Sequence, residues 1–547
     1  MRRCCSVGTP LDFAQQPAVK DRSRTNRSRT NRVVLLAMLC ASALLAACGS
    51  SGSDPSAAIL HTSVTGTQNP LVALFTVASG CSGQAMVEFG TDTSYGRTTA
   101  WYPVTAFQLL TIQVAGMRAA TTYHMRSDRQ CSGTTVTSAD STFTTGAPPS
   151  MPFPALQVTR PDPSPSASEN PGVELIDTIA PTSNQIQAFF TDRDGNPIWY
   201  YNLDPGYYPY TYKLLPNGHF LFSMANQGGD SLIREVDLAG NNIRELDITV
   251  LQQRMQAAGY DFVPTGYHHD FMPLANGHVI VLVNVVKSFT DLPGYPGTTQ
   301  VVGDALVDLD PNWNPVWAWN GFDHLDVNRH LYGLPDWTHS NAIVYLPSDG
   351  NLLLSMRHQS WILKIDYSNG AGTGNVLWKL GYQGDFALTN NGVPTDDPSQ
   401  WFSFQHFPSL ISQNGSVTTL AVWDNGDYRP LDTNGTICNV PGPPNCYSRA
   451  TIFQIDESAM VANLLWADAP GYFSVWGGSV NQLANGNVEF DANAMEVPPS
   501  PTVASEVQEV TQTSPPSVLW KMDIPVPMNA YRAYRVPSLY PGVTWPN

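Results

Sequence analysis

The sequence predicts an all-β protein in which a small β-sandwich precedes a six-bladed β-propeller. Three observations predict this: many turn and aromatic residues, few helical patterns, and a phrase of strands and Gly-containing turns that repeats along most of the chain. With 547 residues, 42 Gly, 44 Pro and 10% aromatic residues, the chain is long enough for two or more domains. Its composition suits short strands better than helices. The best helical window, Leu251–Ala258, is brief.

The N-terminus has the pattern of a secretion signal. A basic stretch from Arg22 to Arg32 precedes an apolar run, Val33–Ala47, that is short for a membrane span and ends in small residues. Because Leu-Ala-Ala-Cys resembles the bacterial lipobox, we expect residues 1–47 to be a lipoprotein signal peptide, Cys48 to carry lipid, and residues 48–57 to form a tether. An ordinary signal peptide cut nearby is the alternative. The protein is therefore expected to be exported, with a lipid anchor to the membrane in the cell envelope, at the periplasmic face or in the outer membrane.

The charge of the chain argues against nucleic acid as a partner. The chain holds 28 Lys and Arg against 45 Asp and Glu. Residues 1–47 account for eight of the basic and two of the acidic residues, which leaves 20 against 43 and a net charge of −23. Nucleic acid repels a body this negative, and no basic cluster offsets the repulsion. An anionic ligand would need local positive charge, so a buried arginine or a cluster of histidines becomes informative.

Four cysteines follow the lipobox: Cys81, Cys131, Cys438 and Cys446. An even number in an exported chain predicts two disulfides. Four cysteines can pair in three ways. In one of them, Cys81 pairs with Cys131 and Cys438 with Cys446, so that each disulfide stays within one predicted domain. A zinc site is the weaker interpretation, because neither pair has Cys-x-x-Cys spacing.

Residues 58–147 alternate in short strands separated by turns, which is the spacing of a β-sandwich. The strands expected there are Leu71–Val77, Ala85–Phe89, Leu109–Val114 and Thr121–Arg126. This segment resembles a fibronectin type III module that serves as a spacer or as the surface of a homodimer, since nothing in it indicates chemistry. Residues 148–172 are rich in proline and are predicted to form an extended linker or a strap across a domain face.

Residues 173–547 repeat one phrase: a strand, a turn containing Gly, two further strands, and then a Trp. Asn-Gly and Asp-Gly turns between apolar runs are strong hairpin signals. Six copies have their turns at Asp194-Gly195, Asn217-Gly218, Asn276-Gly277, Asp349-Gly350, Asn414-Gly415 and Asn485-Gly486. Six four-stranded units whose edges are hidden by radial closure predict a six-bladed β-propeller, the catalytic domain. A last strand within Tyr531–Tyr540 is expected to close the ring.

Histidine is scarce, at eleven in the whole chain, yet several histidines occupy matching places in consecutive repeats. His268 and His269 precede the first strand of the third unit, His339 that of the fourth, and His406 that of the fifth. Because the first strand of each blade lines the central channel, these side chains are expected to converge on the axis. Arg357 ends the second strand of the fourth unit, beside His339. Histidines and an arginine at one end of a narrow channel indicate a functional site rather than a core.

Four segments, in this order along the chain, resemble the family of bacterial arylsulfate sulfotransferases. They are Tyr267-His268-His269-Asp270-Phe271, Asp336-Trp337-Thr338-His339-Ser340-Asn341, Ser355-Met356-Arg357-His358-Gln359 and Phe404-Gln405-His406. The segment Trp423-Asp424-Asn425-Gly426-Asp427 and the ending Tyr531-Arg532-Ala533-Tyr534-Arg535 fit as well. The resemblance runs from about residue 150 to the end. Its combination of motifs is specific, whereas each motif alone is weak.

The resemblance implies an enzyme on a six-bladed propeller that transfers sulfuryl groups from aryl sulfate donors to phenolic acceptors. The family needs no nucleotide sulfate donor, and we expect no metal and no other cofactor here. By motif, His406 carries the group as a sulfohistidine in a ping-pong mechanism. The residues expected to assist are His269, His339 and Arg357 for catalysis and, for substrate binding, His268 and Asn341.

Elementary chemistry agrees with these roles. By analogy with phosphoryl transfer, a sulfate monoester transfers its group through a loose transition state, so positioning and positive charge matter most. A neutral imidazole is a competent nucleophile near pH 7, because its ordinary pKa is about 6.5. The fork of donors on Arg357 matches sulfate oxygens. Trp423 and Trp476 are candidates to stack on the phenol ring, and the bulky Phe407 beside His406 leaves acceptor specificity open.

Two other classes of function stay open. Several axial histidines in a propeller also describe carotenoid-cleaving oxygenases, which hold iron, although a guanidinium among the ligands would repel a divalent cation. A non-catalytic propeller that binds a partner or a glycan is the second alternative, and it leaves the order of the motifs unexplained. A quinone-dependent dehydrogenase is disfavoured, because the sequence has no repeated tryptophan-docking motif of that family.

Overall fold

The computed structural model describes residues 59–161, 168–180, 184–439, 445–495 and 502–546. The predicted signal peptide, the lipid site at Cys48 and the tether lie outside these ranges. The described chain is all-β and holds one α-helix, α1 (Ile248–Ala257), which overlaps the brief helical window expected from the sequence. The carboxylate of Asp247 caps it by accepting from the backbone N–H of Thr249. None of the described residues forms a helix with the length and apolar character that a bilayer span requires.

Nine strands form two N-terminal antiparallel sheets. They are β1 (Ile59–Gly66), β2 (Ala73–Ser79), β3 (Gly83–Gly90), β4 (Arg97–Thr98), β5 (Tyr102–Val104), β6 (Leu109–Val114), β7 (Thr122–Cys131), β8 (Thr134–Thr137) and β9 (Ser141–Thr144). One sheet has the order β1-β2-β6 and the other β4-β3-β7-β8, with β5 on β3 and β9 on β7. Alternate side chains of β2 and β7 are buried, as a sheet with one covered face requires. The predicted disulfide between Cys81 and Cys131 is present.

The next sheets begin with β10 (Gln157–Thr159) in the proline-rich segment. Strands β11 to β21 follow at Val173–Ile179, Ala188–Thr191, Pro197–Tyr201, Tyr207–Leu214, Phe220–Asn226, Ser231–Val236, Asn242–Asp247, Pro264–Pro273, Val279–Leu292, Tyr295–Leu309 and Pro315–Asn320. Strands β22 to β31 lie at Ser340–Leu346, Asn351–Met356, Trp361–Ile365, Val376–Leu380, Ala387–Asn390, Val393–Pro394, His406–Asn414, Val417–Asp424, Arg449–Asp456 and Val461–Asp468. The last strands, β32 to β36, are Ser479–Gln482, Val488–Ala492, Val503–Val510, Val518–Pro525 and Asn529–Val536.

These strands form six sheets within the described ranges. Five of them contain a meander. Four of these meanders are β14-β15-β16-β17, β18-β19-β20-β21, β22-β23-β24-β25 and β28-β29-β30-β31, the last with the hairpin β26-β27 added at β31. The meander β32-β33-β34-β35 carries β10 on its far edge, so part of the proline-rich segment is a strand. The sheet β13-β12-β11 is completed by β36, with Val536 opposite Val173. The final strand therefore pairs with the first sheet, as predicted, although it begins and ends earlier than Tyr531–Tyr540.

The first strands of the five meanders contact one another in sequence. β14 contacts β18, which contacts β22, and the series continues through β28 and β32 to β36, which contacts β14 again. The tryptophan of the repeated phrase links neighbouring sheets. The indole N–H of Trp199 donates to the carbonyl of Leu238 at 2.8 Å, and that of Trp520 donates to the carbonyl of Arg193 at 2.8 Å. The contacts between first strands thus run in a circuit, which brings matching positions of distant repeats together.

Candidate active site

The candidate site forms where the first strands of successive sheets are irregular. The register with the second strand shifts at Pro209/Thr211 in β14, Tyr267/Phe271 in β18, Ser340/Ala342 in β22 and His406/Ser409 in β28. A bulge re-aims side chains away from the regular faces of a strand. The bulged or flanking residues of the four strands include Tyr210, His269, Asn341 and His406, and they supply much of the site.

His269 and His339 face each other, with their Nε2 atoms 3.1 Å apart. A proton between these nitrogens is needed for this contact, so the two rings act as a pair. On its other side, His339 donates Nδ1–H to Oδ2 of Asp336 at 2.6 Å, which leaves its Nε2 for the pair. The φ angles of +20° at His269 and +46° at His339 are uncommon outside glycine, so the backbone is strained where these rings are presented.

His268 lies in the same cluster as His269, its neighbour in β18. Its Nδ1 lies 2.9 Å from Oδ1 of Asp304. Oδ2 of that carboxylate accepts from the hydroxyl of Thr338 and the backbone N–H of Ser340, each at 2.6 Å. The ring of His268 lies 4.1 Å from that of His269, centre to centre. Asp304 therefore connects the strand that carries His268 to the segment before β22.

Asn341 lies beside these residues and is completely buried. Its Nδ2 donates to the carbonyl of Gln405 at 2.8 Å, and its own carbonyl accepts from the guanidinium of Arg532. Its Oδ1 has no hydrogen-bond partner among the described residues. Asn341 therefore joins β22 to the segment before β28 and still offers one acceptor.

Arg357 leaves the end of β23 in a short 3₁₀ turn, Arg357–Gln359, and is mostly buried. Its Nη1 donates to Nε2 of His358 at 2.7 Å, and its Nη2 donates to the carbonyl of Val475 at 3.0 Å. His358 can accept at Nε2 because its Nδ1–H donates to the carbonyl of Asp336 at 2.9 Å. Burial, followed by the charges of His339 and Arg357, lowers the pKa of His358 to about 3. A neutral imidazole thus orients the arginine.

His406 begins β28 and is buried. Its Nδ1 lies 2.7 Å from Oδ1 of Asn425, and its Nε2 accepts from the backbone N–H of Gly477 at 3.2 Å. Burial lowers the pKa of His406 well below its usual value, and the positive charge of Arg357 lowers it further. The ring is therefore neutral at pH 7, with the unprotonated nitrogen at Nε2.

Burial and hydrogen bonds shift the pKa values of other groups of the site as well. Burial lowers the pKa of His269 well below its usual value, and it lowers that of His339 against the opposing pull of Asp336. Burial favours a raised pKa at Asp336, but the hydrogen bond from His339 outweighs it and holds this pKa at about 2. Arg532, from β36, is buried and donates to Oδ1 of Asp270 at 2.9 Å. Positive charge for an anionic ligand therefore comes from the guanidinium groups of Arg357 and Arg532, whereas Asp336 and Asp270 are negatively charged.

Two tyrosines of the site were not predicted as functional. Tyr531, on β36, stacks on His269 at 5.0 Å and meets His406 edge-on at 6.0 Å. Its hydroxyl is buried without a hydrogen-bond partner in the described chain. Tyr210, at the bulge of β14, lies edge-on to His269 at 4.9 Å. Tyr531 lies in the C-terminal segment that supported the family resemblance, so the sequence offered a signal for it. Tyr210 occupies a bulge of β14 that corresponds to the bulge of His269 in β18, and this correspondence is visible only in the structure.

Of the two tryptophans expected to stack on a phenol, Trp476 stacks on Tyr531 at 6.4 Å, whereas Trp423 faces away from the site. Trp423 is completely buried and stacks on Phe490 at 5.5 Å, so it cannot stack on a substrate. Tyr332, by contrast, is 40% exposed and stacks on His358 at 4.3 Å. Tyr428 is 44% exposed and lies 5.9 Å from Tyr332. This exposed pair replaces Trp423 as a candidate surface for an aromatic ring.

The second predicted disulfide, Cys438–Cys446, is present in the connection from β29 to β30. The same connection carries Asn425 and Tyr428, so the disulfide cross-links the loop that supplies these two residues of the site. Two groups of side chains within the described chain have the spacing of metal ligands: His268 with His269 and His339, and Asp336 with His339 and His358.

Comparisons with known proteins add one family match. A family model described as Arylsulfotransferase (ASST) matches residues 159–535. A comparison with curated proteins finds no match.

Distant likenesses occur among solved structures. A Bacteroides caccae protein of unknown function is 11% identical, covers 55% of this chain and 94% of its own, and has a TM-score of 0.29. A Lactobacillus plantarum protein is 11% identical, covers 67% of this chain and 100% of its own, and has a TM-score of 0.33. A variant of Synechocystis apocarotenoid oxygenase is 8% identical, covers 85% of this chain and 82% of its own, and has a TM-score of 0.29. Likeness this weak says nothing about the reaction.

Proposed function

Since the chain belongs to the arylsulfotransferase family, which implies aryl sulfotransferase activity, we propose that it transfers a sulfuryl group from an aryl sulfate ester to a phenol through a sulfohistidine at His406. The chemistry takes place at one end of a six-bladed β-propeller that follows a fibronectin type III-like sandwich. The observation that carries this proposal is the state of His406. Its Nε2 is unprotonated, its ring is neutral, and Arg357 lies nearby.

In the first step, the lone pair on Nε2 of His406 attacks the sulfur of the donor. The bond from sulfur to the aryl oxygen breaks, and its electron pair stays on that oxygen. The departing phenolate takes a proton, because the pKa of a phenol is about 10. The His269–His339 pair supplies this proton from between its Nε2 atoms. Burial lowers the pKa of His339 in the free site although Asp336 opposes it, and the negative charge of the bound ester opposes it further, which favours the protonated pair.

In the second step, an acceptor phenol takes the place of the first product. It returns a proton to the His269–His339 pair, and its oxygen attacks the sulfur. The bond between sulfur and Nε2 breaks, and its electron pair returns to His406. Each proton and each electron pair displaced in the first step is thus restored in the second, which is a ping-pong sequence.

Positive charge and polar contacts position the transferring group. Arg357 faces the sulfuryl oxygens, and its contacts to His358 and Val475 orient it before substrate binds. His268, oriented by Asp304, and the free Oδ1 of Asn341 contact the substrate. Tyr332 and Tyr428 stack on its aromatic ring at the opening.

We also propose that the protein is exported and held in the cell envelope by lipid on Cys48, at the periplasmic face or in the outer membrane. Two disulfides support export, because such bonds persist in oxidising compartments. A homodimer through the N-terminal sandwich is a further part of this proposal. It is supported by Phe107 and Leu109, which are 77% and 68% exposed on that domain.

The proposed mechanism predicts that product release depends on an acceptor. With a chromogenic aryl sulfate alone, we expect one burst of phenol per protein molecule and then slow release, because the sulfohistidine lacks a partner. A second phenol is expected to raise the steady rate by about 10-fold or more. The measurement is the absorbance of the released phenol at a series of acceptor concentrations, with heat-denatured protein as the control. Equal rates with and without acceptor would indicate a hydrolase instead.

A metal-dependent enzyme is the second candidate, and one observation favours it. Nδ1 of His268 and Nδ1 of His339 each face a carboxylate, so the Nε2 atoms point inward as they do in many metal sites. Arg357 opposes a divalent cation there. In the group formed by Asp336, His339 and His358, the guanidinium of Arg357 also donates to Nε2 of His358, so that this nitrogen is not available to a metal.

Chelation separates the two candidates. We expect EDTA to leave sulfuryl transfer unchanged, because the positive charge of the proposed site comes from Arg357 and from a protonated imidazole. Activity is measured before and after dialysis against EDTA, together with the metal content of the protein by elemental analysis. Loss of activity that iron or zinc restores would favour the metalloenzyme.

A further inference from the structure

Asn425 follows β29 directly and has a side chain that is held from both sides. It is completely buried. Its Nδ2 donates to the carbonyl of Ser474 at 2.8 Å and to that of Gly477 at 3.1 Å. The reverse orientation of the amide would place Oδ1 against two carbonyl oxygens and leave buried donors unpaired, which is costly. The amide therefore presents its oxygen to His406.

The contacts of His406 determine where its proton lies. An amide oxygen only accepts, so Nδ1, at 2.7 Å from Oδ1 of Asn425, has to be the protonated nitrogen. On the opposite side of the ring, the backbone N–H of Gly477 points at Nε2 from 3.2 Å, so Nε2 has to be the acceptor. These two contacts impose the same tautomer independently of each other.

We propose that Asn425 is a positioning residue that fixes His406 in the Nδ1–H tautomer, so that Nε2, which accepts from the N–H of Gly477 before substrate binds, carries the lone pair that attacks sulfur. The proposal rests on the function proposed above for His406. Asn425 does not touch the transferring group, and it acts only through the imidazole.

The choice of an amide rather than a carboxylate has a chemical consequence. His339 has a carboxylate partner in Asp336, and such a partner stabilises the protonated ring. The partner of His406 is an amide, which neither stabilises the cation as strongly nor removes the proton from Nδ1. When Nε2 bonds to sulfur, Nδ1 keeps its proton, and the ring becomes an N-sulfoimidazolium. Positive charge on the ring makes it a good leaving group, so the second step is fast.

The charged and titratable groups that face His406 come from several elements. Arg357 and Arg532 bring positive charge from the turn after β23 and from β36, and His269, His339 and Tyr531 also lie close to the ring. The carboxylate of Asp427 lies 3.9 Å from Nη2 of Arg357. The arginines favour the neutral ring, as the amide does. A carboxylate in place of Asn425 would oppose this influence from the closest position.

The tautomer of wild-type His406 is the first test. We expect ¹⁵N–¹H correlation spectra of protein labelled at histidine to show Nδ1 protonated and Nε2 unprotonated, with the signal assigned by its loss in His406→Gln. This readout requires no activity, so it stands even if the protein transfers no sulfuryl group. A protonated Nε2 would overturn the proposal.

Two variants test the role of the amide. Asn425→Asp is expected to raise the pKa of His406 by at least about one unit, so that the acid limb of the first step moves to higher pH and activity recovers above it. Asn425→Ala is expected to lower the rate at every pH by about 100-fold or more, because a mispositioned tautomer is costly. Asn351→Ala removes another buried amide, at the opposite end of the β22–β23 hairpin, and serves as the control. An unchanged titration of His406 in folded Asn425→Asp would overturn the proposal, and if that variant does not fold, the wild-type tautomer decides.

Discussion

Replacing His406 by alanine is expected to reduce sulfuryl transfer by about 10⁴-fold or more, as removal of a nucleophile from a catalytic unit commonly does. The substitution removes the only group that forms the proposed intermediate, and neither Asn425 nor Gly477 offers a substitute nucleophile. It also leaves Oδ1 of Asn425 and the N–H of Gly477 without their partner, at a cost of about 1–3 kcal/mol each. We therefore expect a folded protein with a lower melting temperature. The burst of phenol and the melting curve are measured on the same preparation.

His278→Ala is the matched control for this experiment. His278 follows a hairpin turn and pairs with Asp308, away from the site, so its loss should leave transfer intact. Mass spectrometry of the protein quenched after donor alone adds a direct readout, the mass of one sulfuryl group on wild type and none on His406→Ala. If folded His406→Ala kept more than a few per cent of wild-type transfer, the nucleophile would lie elsewhere, with His339 as the next candidate.

The repeated phrase explains why so much of the architecture could be predicted. Each Asn-Gly turn requires a positive φ at its glycine, as at Gly218 and Gly277, with φ of +85° and +86°. Such turns mark each hairpin, so His269, His339 and His406 could each be assigned to the start of the first strand of its repeat. The final strand could be placed only approximately, because its pairing with β11 joins residues more than three hundred positions apart.

The partners of the predicted residues were harder to foresee. Asp336 and Asn425 stand within segments that carried the family resemblance, yet their role depends on which way their side chains point. That direction is set by bulges and by the 3₁₀ turn at Arg357, which interrupt the alternation expected of a strand. Trp423 illustrates the same limit, since it was expected to stack on the phenol and instead packs on Phe490.

The second large effect is expected at Arg357. In the proposed transition state, charge spreads over three sulfuryl oxygens, and a guanidinium in a buried site acts on that charge with little screening. Arg357→Met keeps much of the length and loses both charge and donors, so we expect transfer to fall by about 10³-fold or more. Arg357→Lys keeps the charge but cannot bond His358 and Val475 while offering a planar fork. Its expected loss is smaller, about 10- to 100-fold.

The order wild type, Lys, Met separates an electrostatic role from packing, because lysine and methionine fill similar volumes and differ mainly in charge. Single-turnover rates of the first step are the measurement, since they exclude effects on acceptor binding. Arg244→Met is the control for the general cost of replacing an arginine by methionine. Arg244 forms an ion pair with Glu235 within the sheet β14-β15-β16-β17, which does not carry Arg357. If Arg357→Met were as active as Arg357→Lys, the charge at this position would play no part in transfer. The guanidinium would then no longer argue against a cation at His268, His269 and His339, and the metal-dependent alternative would gain accordingly.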